Sequence, residues 1–144
     1  HIPCRIDRDM ELGLWQKFMS NIGENMTCAL LGVPFKALAE SEHARAIKRM
    51  GMREVQEVAG KLGIRLTDEM AEAAMNRPIT APYNRPSTLQ DLDAKKRTEI
   101  DMFAGTVVRL GRKLGVATPV NELFYHGIRV LEEKNEGKYS PENT

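Results

Sequence analysis

Trp15-Gln-Lys17-Phe-Met-Ser-Asn21-Ile-Gly23-Glu-Asn25-Met26 sets apolar side chains at Trp15, Phe18, Ile22 and Met26, three and four residues apart. That is the spacing of a helix with one buried face. Four residues carry a helix roughly 40° past a full turn. Lys17, Asn21 and Asn25 therefore fall on one polar stripe beside the apolar one. A solvated helix face fits such a stripe. Against it, asparagine is a poor helix-interior residue, and Gly23 in the same helix costs about 1 kcal/mol relative to alanine. A glycine there also leaves room for another backbone or a ligand.

The same periodicity runs through the rest of the chain. Val and Ile fall at helical spacing, and alternating β-branched runs are absent. Residues 1–7 read as an extended lead-in, kept from helix by Pro3. Asp7 or Asp9 then caps a helix over about 9–31, which Gly32-Val-Pro34 interrupts. A short helix is expected over 35–40, and a long one over 42–62 after Ser41, with Ala46, Ile47, Met50, Val55, Val58, Ala59 and Leu62 as its apolar positions and Gly63 as its end. Thr67 caps a helix over 68–76. Pro78, Pro82 and Pro86 mark the one long loop, and such loops carry binding groups more often than cores do. A helix over 88–114, closed by Gly115, and a last one over 119–135, opened by Thr118-Pro119, complete the chain. The expectation is all-α, with six or so helices.

Composition narrows the function classes. A chain of 144 residues suits one domain, and one this size buries enough surface to fold without metal or disulfide. A net charge of +1 argues against a nucleic-acid or membrane-surface role. Lys95-Lys96-Arg97 is a local basic run, but adjacent residues on a helix point in different directions. Cys4 and Cys28 form no disulfide framework, and a reducing, cytoplasmic setting follows. His1, His43 and His126 have no partners at ligand spacing, so no metal is expected. No apolar run nears the ~20 residues that span a membrane. No G-x-G-x-x-G occurs, so the chain does not by itself build the usual dinucleotide site. It opens on His1 rather than Met, as a fragment would.

The second polar motif is Ser87-Thr-Leu-Gln90-Asp91, with Thr98-Glu99-Ile-Asp101 beyond it. Ser87-x-x-Gln90 fits a helix capping box. A helix N-terminus also attracts a carboxylate, so a cap and a ligand contact are compatible. Glu99 fits an exposed ion pair with Lys95 or Lys96. Glu99 and Asp101, two apart, do not share a helix face and are not a paired-carboxylate site.

Taken in order, Trp15-x-Lys17-x-x-x-Asn21-x-x-x-Asn25, Ala29-Leu-Leu-Gly-Val-Pro34, Ser87-x-Leu-Gln-Asp91, Thr98-Glu-Ile-Asp101 and Thr118-Pro119-Val-Asn121 resemble the C-terminal domain of the ketopantoate reductase (2-dehydropantoate 2-reductase) family. The resemblance covers about residues 9–135. It implies a multi-helix bundle of the 6-phosphogluconate dehydrogenase C-terminal-domain-like type, and NADPH-dependent reduction of ketopantoate, or a similar 2-oxo acid, to (R)-pantoate in pantothenate and coenzyme A biosynthesis. It implies Lys17 as the catalytic acid, Asn21, Asn25, Ser87 and Gln90 as substrate-binding residues, and Glu99 as a cofactor contact. Residues 1–8 would be an interdomain linker remnant, 9–136 the substrate-binding and catalytic domain, and 137–144 a polar tail. The partners implied are an N-terminal Rossmann domain, absent from this chain, and a second copy in a homodimer. The fragment alone would be inactive. The alternative is a non-catalytic helical dimerisation or interaction module with the same fold. Two departures stand out: Phe35 follows Pro34 where the family commonly has asparagine, and Lys95-Lys96 replaces a glycine-containing turn.

Overall fold

The computed structural model describes residues 4–141, with side chains described from Arg8 onward; His1–Pro3 of the expected lead-in and the last three residues of the tail lie outside them. The elements are α1 (Cys4–Asn21), a π-helical turn (Ile22–Met26), α2 (Thr27–Leu31), α3 (Lys36–Glu40), α4 (Glu42–Lys61), α5 (Asp68–Met75), α6 (Ser87–Asp93), a 3-10 turn (Ile100–Met102), α7 (Ala104–Leu114) and α8 (Pro119–Asn135). No strand occurs among the described residues. Helix α1 starts at Cys4, upstream of the expected Asp7 or Asp9 cap.

Local chemistry accounts for most boundaries. Ser41 Oγ accepts the Ala44 amide of α4 at 3.2 Å, and Thr67 Oγ1 accepts the Met70 amide of α5 at the same distance. Gly63 and Gly115 end α4 and α7 with φ of +82° and +75°, a left-handed conformation that costs glycine little. Helix α8 has Pro119 in its first turn, as expected, but Thr118 makes no capping bond. The cap comes from α4 instead. The buried Glu54 carboxylate accepts the Val120 amide at 2.9 Å and the Asn121 amide at 2.8 Å.

Helix α4 is the hub, packing on α1, the π turn, α5, α7 and α8. Its buried face is Ala44, Lys48, Gly51, Met52, Glu54, Val55, Val58 and Ala59. Met50 and Leu62, expected in the core, are nearly half exposed, and Ala46 is exposed. The face is rotated because Lys48 and Glu54 find buried charge and hydrogen-bond partners, which a hydrophobic count does not register. Gly51 lets α8 approach: a Cβ there would sit 2.8 Å from a ring carbon of Phe124. Ile22, Met26, Val55, Val58, Ile100, Val107 and Ile128 are fully buried at the centre.

The expected single helix over 88–114 is broken. Helix α6 stops after Asp93, and the chain turns through Ala94–Glu99 before the 3-10 turn and α7. The break is a Schellman motif, in which Lys96 N–H donates to the Asp91 carbonyl at 2.8 Å and Lys95 N–H to Leu92 at 3.1 Å. Lys95 takes the left-handed conformation, φ +58°, that glycine usually fills. The apolar period persists across the break because Leu92 and Ile100 enter the same core from either side of it.

Candidate active site

Lys17 lies exposed on α1, one turn before Asn21. Asn21 is the last residue of α1 and Asn25 lies inside the π turn; both are half-buried. The π turn was not legible in the sequence. An i→i+5 bonded turn holds more residues than an α turn, so four residues no longer overshoot a full turn. Asn25 is thus rotated about the helix axis, relative to Asn21, from where a regular helix would place it. Gly23 proves to serve packing: a Cβ there would fall 2.8 Å from Met52 Cγ and 2.9 Å from Lys48 Cγ. Its open side is filled by α4, not by a ligand.

Ser87 and Gln90 are exposed in the first turns of α6. The capping box does not form. Pro86 occupies the cap position, no side-chain cap bond is made, and Gln90 Nε2 donates to the Arg85 carbonyl at 2.8 Å. The Ser87 hydroxyl is therefore not spent on the cap. Helix α6 packs against the π turn and α2, so the elements bearing Asn25 and Ser87 are neighbours. Among the described residues, no hydrogen bond or ion pair joins Lys17 to Ser87. Glu99 is exposed in the turn before Ile100 rather than on a helix, and pairs with neither Lys95 nor Lys96.

Charges that sequence reasoning passed over hold these segments in place. Glu24 sits between Asn21 and Asn25 with its side chain 8% exposed. It pairs with the equally buried Lys48 at 3.2 Å and with Arg77 of the proline-rich loop. Lys48 also donates to the Ala74 carbonyl near the end of α5, at 2.9 Å. Burial pushes the Lys48 ammonium below the usual lysine range, against the pull of Glu24. Cys28 is nearby; its thiol is pushed up to about 12 by burial and then by the Glu24 charge, so it is inert. A second cluster holds the Glu99 turn. The buried Glu132 carboxylate accepts the Thr98 amide at 2.7 Å and the Thr98 hydroxyl at 2.8 Å, and pairs with Arg129 at 2.6 Å. Arg129 also pairs with Asp101. Burial lifts the Glu132 carboxyl, but Thr98 and Arg129 outweigh it and leave it below the usual glutamate range. The sequence signal was a charged residue on an apolar face, at Glu24, Lys48 and Glu132.

The proline-rich loop is tied to the segment after Pro34 by backbone. Phe35 N–H donates to the Asn84 carbonyl at 3.0 Å, and Lys36 N–H to Pro82 at 2.6 Å. In the same loop the Tyr83 hydroxyl accepts a hydrogen bond from the Lys36 ammonium at 2.9 Å, and that ammonium lies 4.9 Å from the Tyr83 ring centre. Among the described residues, no group of three His, Cys, Asp or Glu side chains is placed to hold a metal ion. No described helix is long and apolar enough to cross a membrane.

Comparison with known proteins agrees with this architecture. The family described as "Ketopantoate reductase PanE/ApbA C terminal" matches residues 9–132. A 2-dehydropantoate 2-reductase of Pyrobaculum aerophilum is 34% identical over 128 residues, covering 89% of this chain and 46% of the relative. A PanE/ApbA family ketopantoate reductase from Ralstonia eutropha JMP134 superposes with a TM-score of 0.77 at 35% identity, over 86% of this chain and 42% of that one. D-mandelate dehydrogenase, solved with NADH and anilino(oxo)acetate, superposes with a TM-score of 0.80 at 27% identity, over 88% and 53%. The chain thus spans about half the length of the relatives it matches. From residue 9 to 132, this chain belongs to the ketopantoate reductase family, as its helical C-terminal domain.

Proposed function

We propose that this chain is the substrate-binding and acid-supplying half of a reductase that converts a 2-oxo acid, ketopantoate, to (R)-pantoate in pantothenate and coenzyme A biosynthesis. The observation that supports the reading is the packing of α6, which opens on Ser87, against the π turn, which bears Asn25 and follows directly on the helix of Lys17 and Asn21. NADPH, when bound, would supply the hydride that reduces the ketone. Negative charge then develops on the ketone oxygen, where a positioned ammonium both stabilises it and gives up a proton. Lys17 fits that role, being exposed and without an ion pair among the described residues. The two asparagine amides, the Ser87 hydroxyl and Gln90 would orient the substrate's carboxylate and hydroxyl, which neutral donors do well in a closed cleft.

This chain offers the cofactor one contact, Glu99, whose exposed position in a braced turn suits it to meet the nicotinamide end. The dinucleotide itself belongs to an N-terminal Rossmann domain in this reading. A homodimer in the cytoplasm completes it. The test joins this chain to a dinucleotide-binding domain of the family and follows NADPH oxidation with ketopantoate. Turnover that depends on ketopantoate is expected. Absence of turnover in a folded protein that binds NADPH would favour the non-catalytic interaction module instead.

A further inference from the structure

Between α7 and α8 lies a cleft of about 200 Å³, lined by Gly105, Val108, Arg109, Arg112, Tyr125 and His126. Arg109 and Arg112 are three residues apart, so α7 presents both guanidinium groups on one side. Tyr125 and His126 line the cleft from α8, their rings edge to face with centres 5.2 Å apart. No carboxylate lines it. Other polar clefts carry both signs: Arg49 and Arg53 with Asp68 and Glu72 between α4 and α5, and Arg8 and Arg65 with Asp9 and Glu11 beside the start of α1. Arg109 is held by neutral acceptors. Its Nη2 donates to the Asp101 carbonyl at 2.9 Å and to the Thr106 hydroxyl at 3.3 Å. Gly105 makes room for this guanidinium, since a Cβ there would sit 3.1 Å from Arg109 Nη1. Arg109 makes no ion pair among the described residues. The nearby acids are engaged by other arginines: Asp101 pairs with Arg129, and Glu122 lies 3.6 Å from Arg112. The Arg109 charge is thus fixed at the cleft without a counter-charge.

We propose that this cleft binds a phosphate group, carried by free inorganic phosphate or by a phosphate monoester. It does so whether or not the reductase reading above holds. A guanidinium fork matches the oxygens of a phosphate, and one already held in place loses less freedom on pairing. A single fork saturates a carboxylate. Two arginines on one side of a helix suit an ion with three oxygens and about two charges at neutral pH. The His126 ring adds an N–H donor. The cleft is smaller than the roughly 300–1,000 Å³ that encloses a whole small molecule. It therefore takes the anionic group and leaves the rest of a monoester in water.

The test is an NMR titration of the whole chain at low ionic strength with inorganic phosphate, glucose 6-phosphate and acetate. Saturable shifts centred on the amides of Gly105, Arg109 and His126 are expected, with a Kd of about 1 mM or below for at least one of the two phosphates. Glucose 6-phosphate binding at least tenfold tighter than inorganic phosphate makes a monoester the ligand; comparable or weaker binding makes it free phosphate. Either result supports the proposal. Acetate should bind at least tenfold more weakly than the better phosphate. Arg109→Gln should weaken that phosphate at least tenfold, and Arg109→Lys, which keeps the charge and loses the fork, about threefold. Glu122→Gln, which releases Arg112, should strengthen it about twofold. If Arg109→Gln fails to fold, Arg112→Gln should still weaken binding at least threefold. Shifts that fail to saturate by about 20 mM, shifts centred on Lys95-Lys96-Arg97, acetate binding as tightly as phosphate, or an affinity indifferent to Arg109 and Arg112 would overturn the proposal.

Discussion

Glu24 with Lys48 and Arg77, and Glu132 with Arg129 and Asp101, are two charge clusters that hold the two polar motifs of this domain, but they are built differently. In the first, both carboxylate and ammonium are sealed, with side-chain exposures of 8% and 5%. In the second, only the carboxylate is sealed, at 3%, while Arg129 is 21% exposed and has Asp101 as a second partner. A sealed pair has no water to fall back on when one member is lost. A partly wet cluster does. The π turn is thus held through a sealed ion pair, with Arg77, 59% exposed, as the outer partner of Glu24, and the Glu99 turn through a sealed carboxylate whose cation is itself partly wet.

That contrast is open to measurement. Glu24→Gln should be the most damaging change, because it leaves Lys48 buried beside a neutral amide. A loss of about 3 kcal/mol is expected from the cost of breaking a buried pair, read by urea denaturation. A loss below about 1 kcal/mol, within the range of surface pairs, would erase the distinction. Glu132→Gln should cost about 2 kcal/mol at neutral pH, the scale of hydrogen bonds to a charged group. It should also change the pH dependence. The Glu132 carboxyl titrates below the ordinary glutamate value of 4.5 in the folded protein. Its contribution is therefore present above pH 4.5 and lost as pH falls through the lower, folded value. The stability gap between wild type and Glu132→Gln should narrow from pH 5 downward. A gap that is constant with pH would remove Glu132 from the account. Lys95→Gly, in the turn that Glu132 braces from the far side, should stabilise by about 0.5–1 kcal/mol. The left-handed conformation costs an L-residue ~1–2 kcal/mol, part of which glycine's extra chain entropy offsets.

Much of the fold was legible in the sequence because its signals are local. Ser41 and Thr67 cap helices, Gly63 and Gly115 end them, and Pro119 opens the last one, each within a few residues of the boundary it sets. What was not legible depends on partners distant in the chain. The rotation of α4 requires Glu24, 24 residues from Lys48, and a backbone amide 67 residues from Glu54. The break after Asp93 is braced by Glu132, 34 residues from Thr98. Apolar spacing runs through that break unaltered, so periodicity predicted one helix where two and a turn exist. The same limit applies to the site. The motif residues could be singled out by type and spacing. The π turn that sets Asn25 and the charges that hold it arise from long-range packing. The failed cap at Ser87 is the converse case, where local spacing suggested a bond that the loop's Pro86 displaces.

In the proposed reaction the Lys17 ammonium delivers the proton to the ketone oxygen. That transfer is tested most directly by comparing kcat of wild type and Lys17→Ala for ketopantoate, in a protein carrying this chain behind its dinucleotide-binding domain. A fall on the order of 10²-fold or more, the contribution of a positioned general acid, is predicted, with helical content and cofactor binding unchanged. A kcat within threefold of wild type would contradict the account.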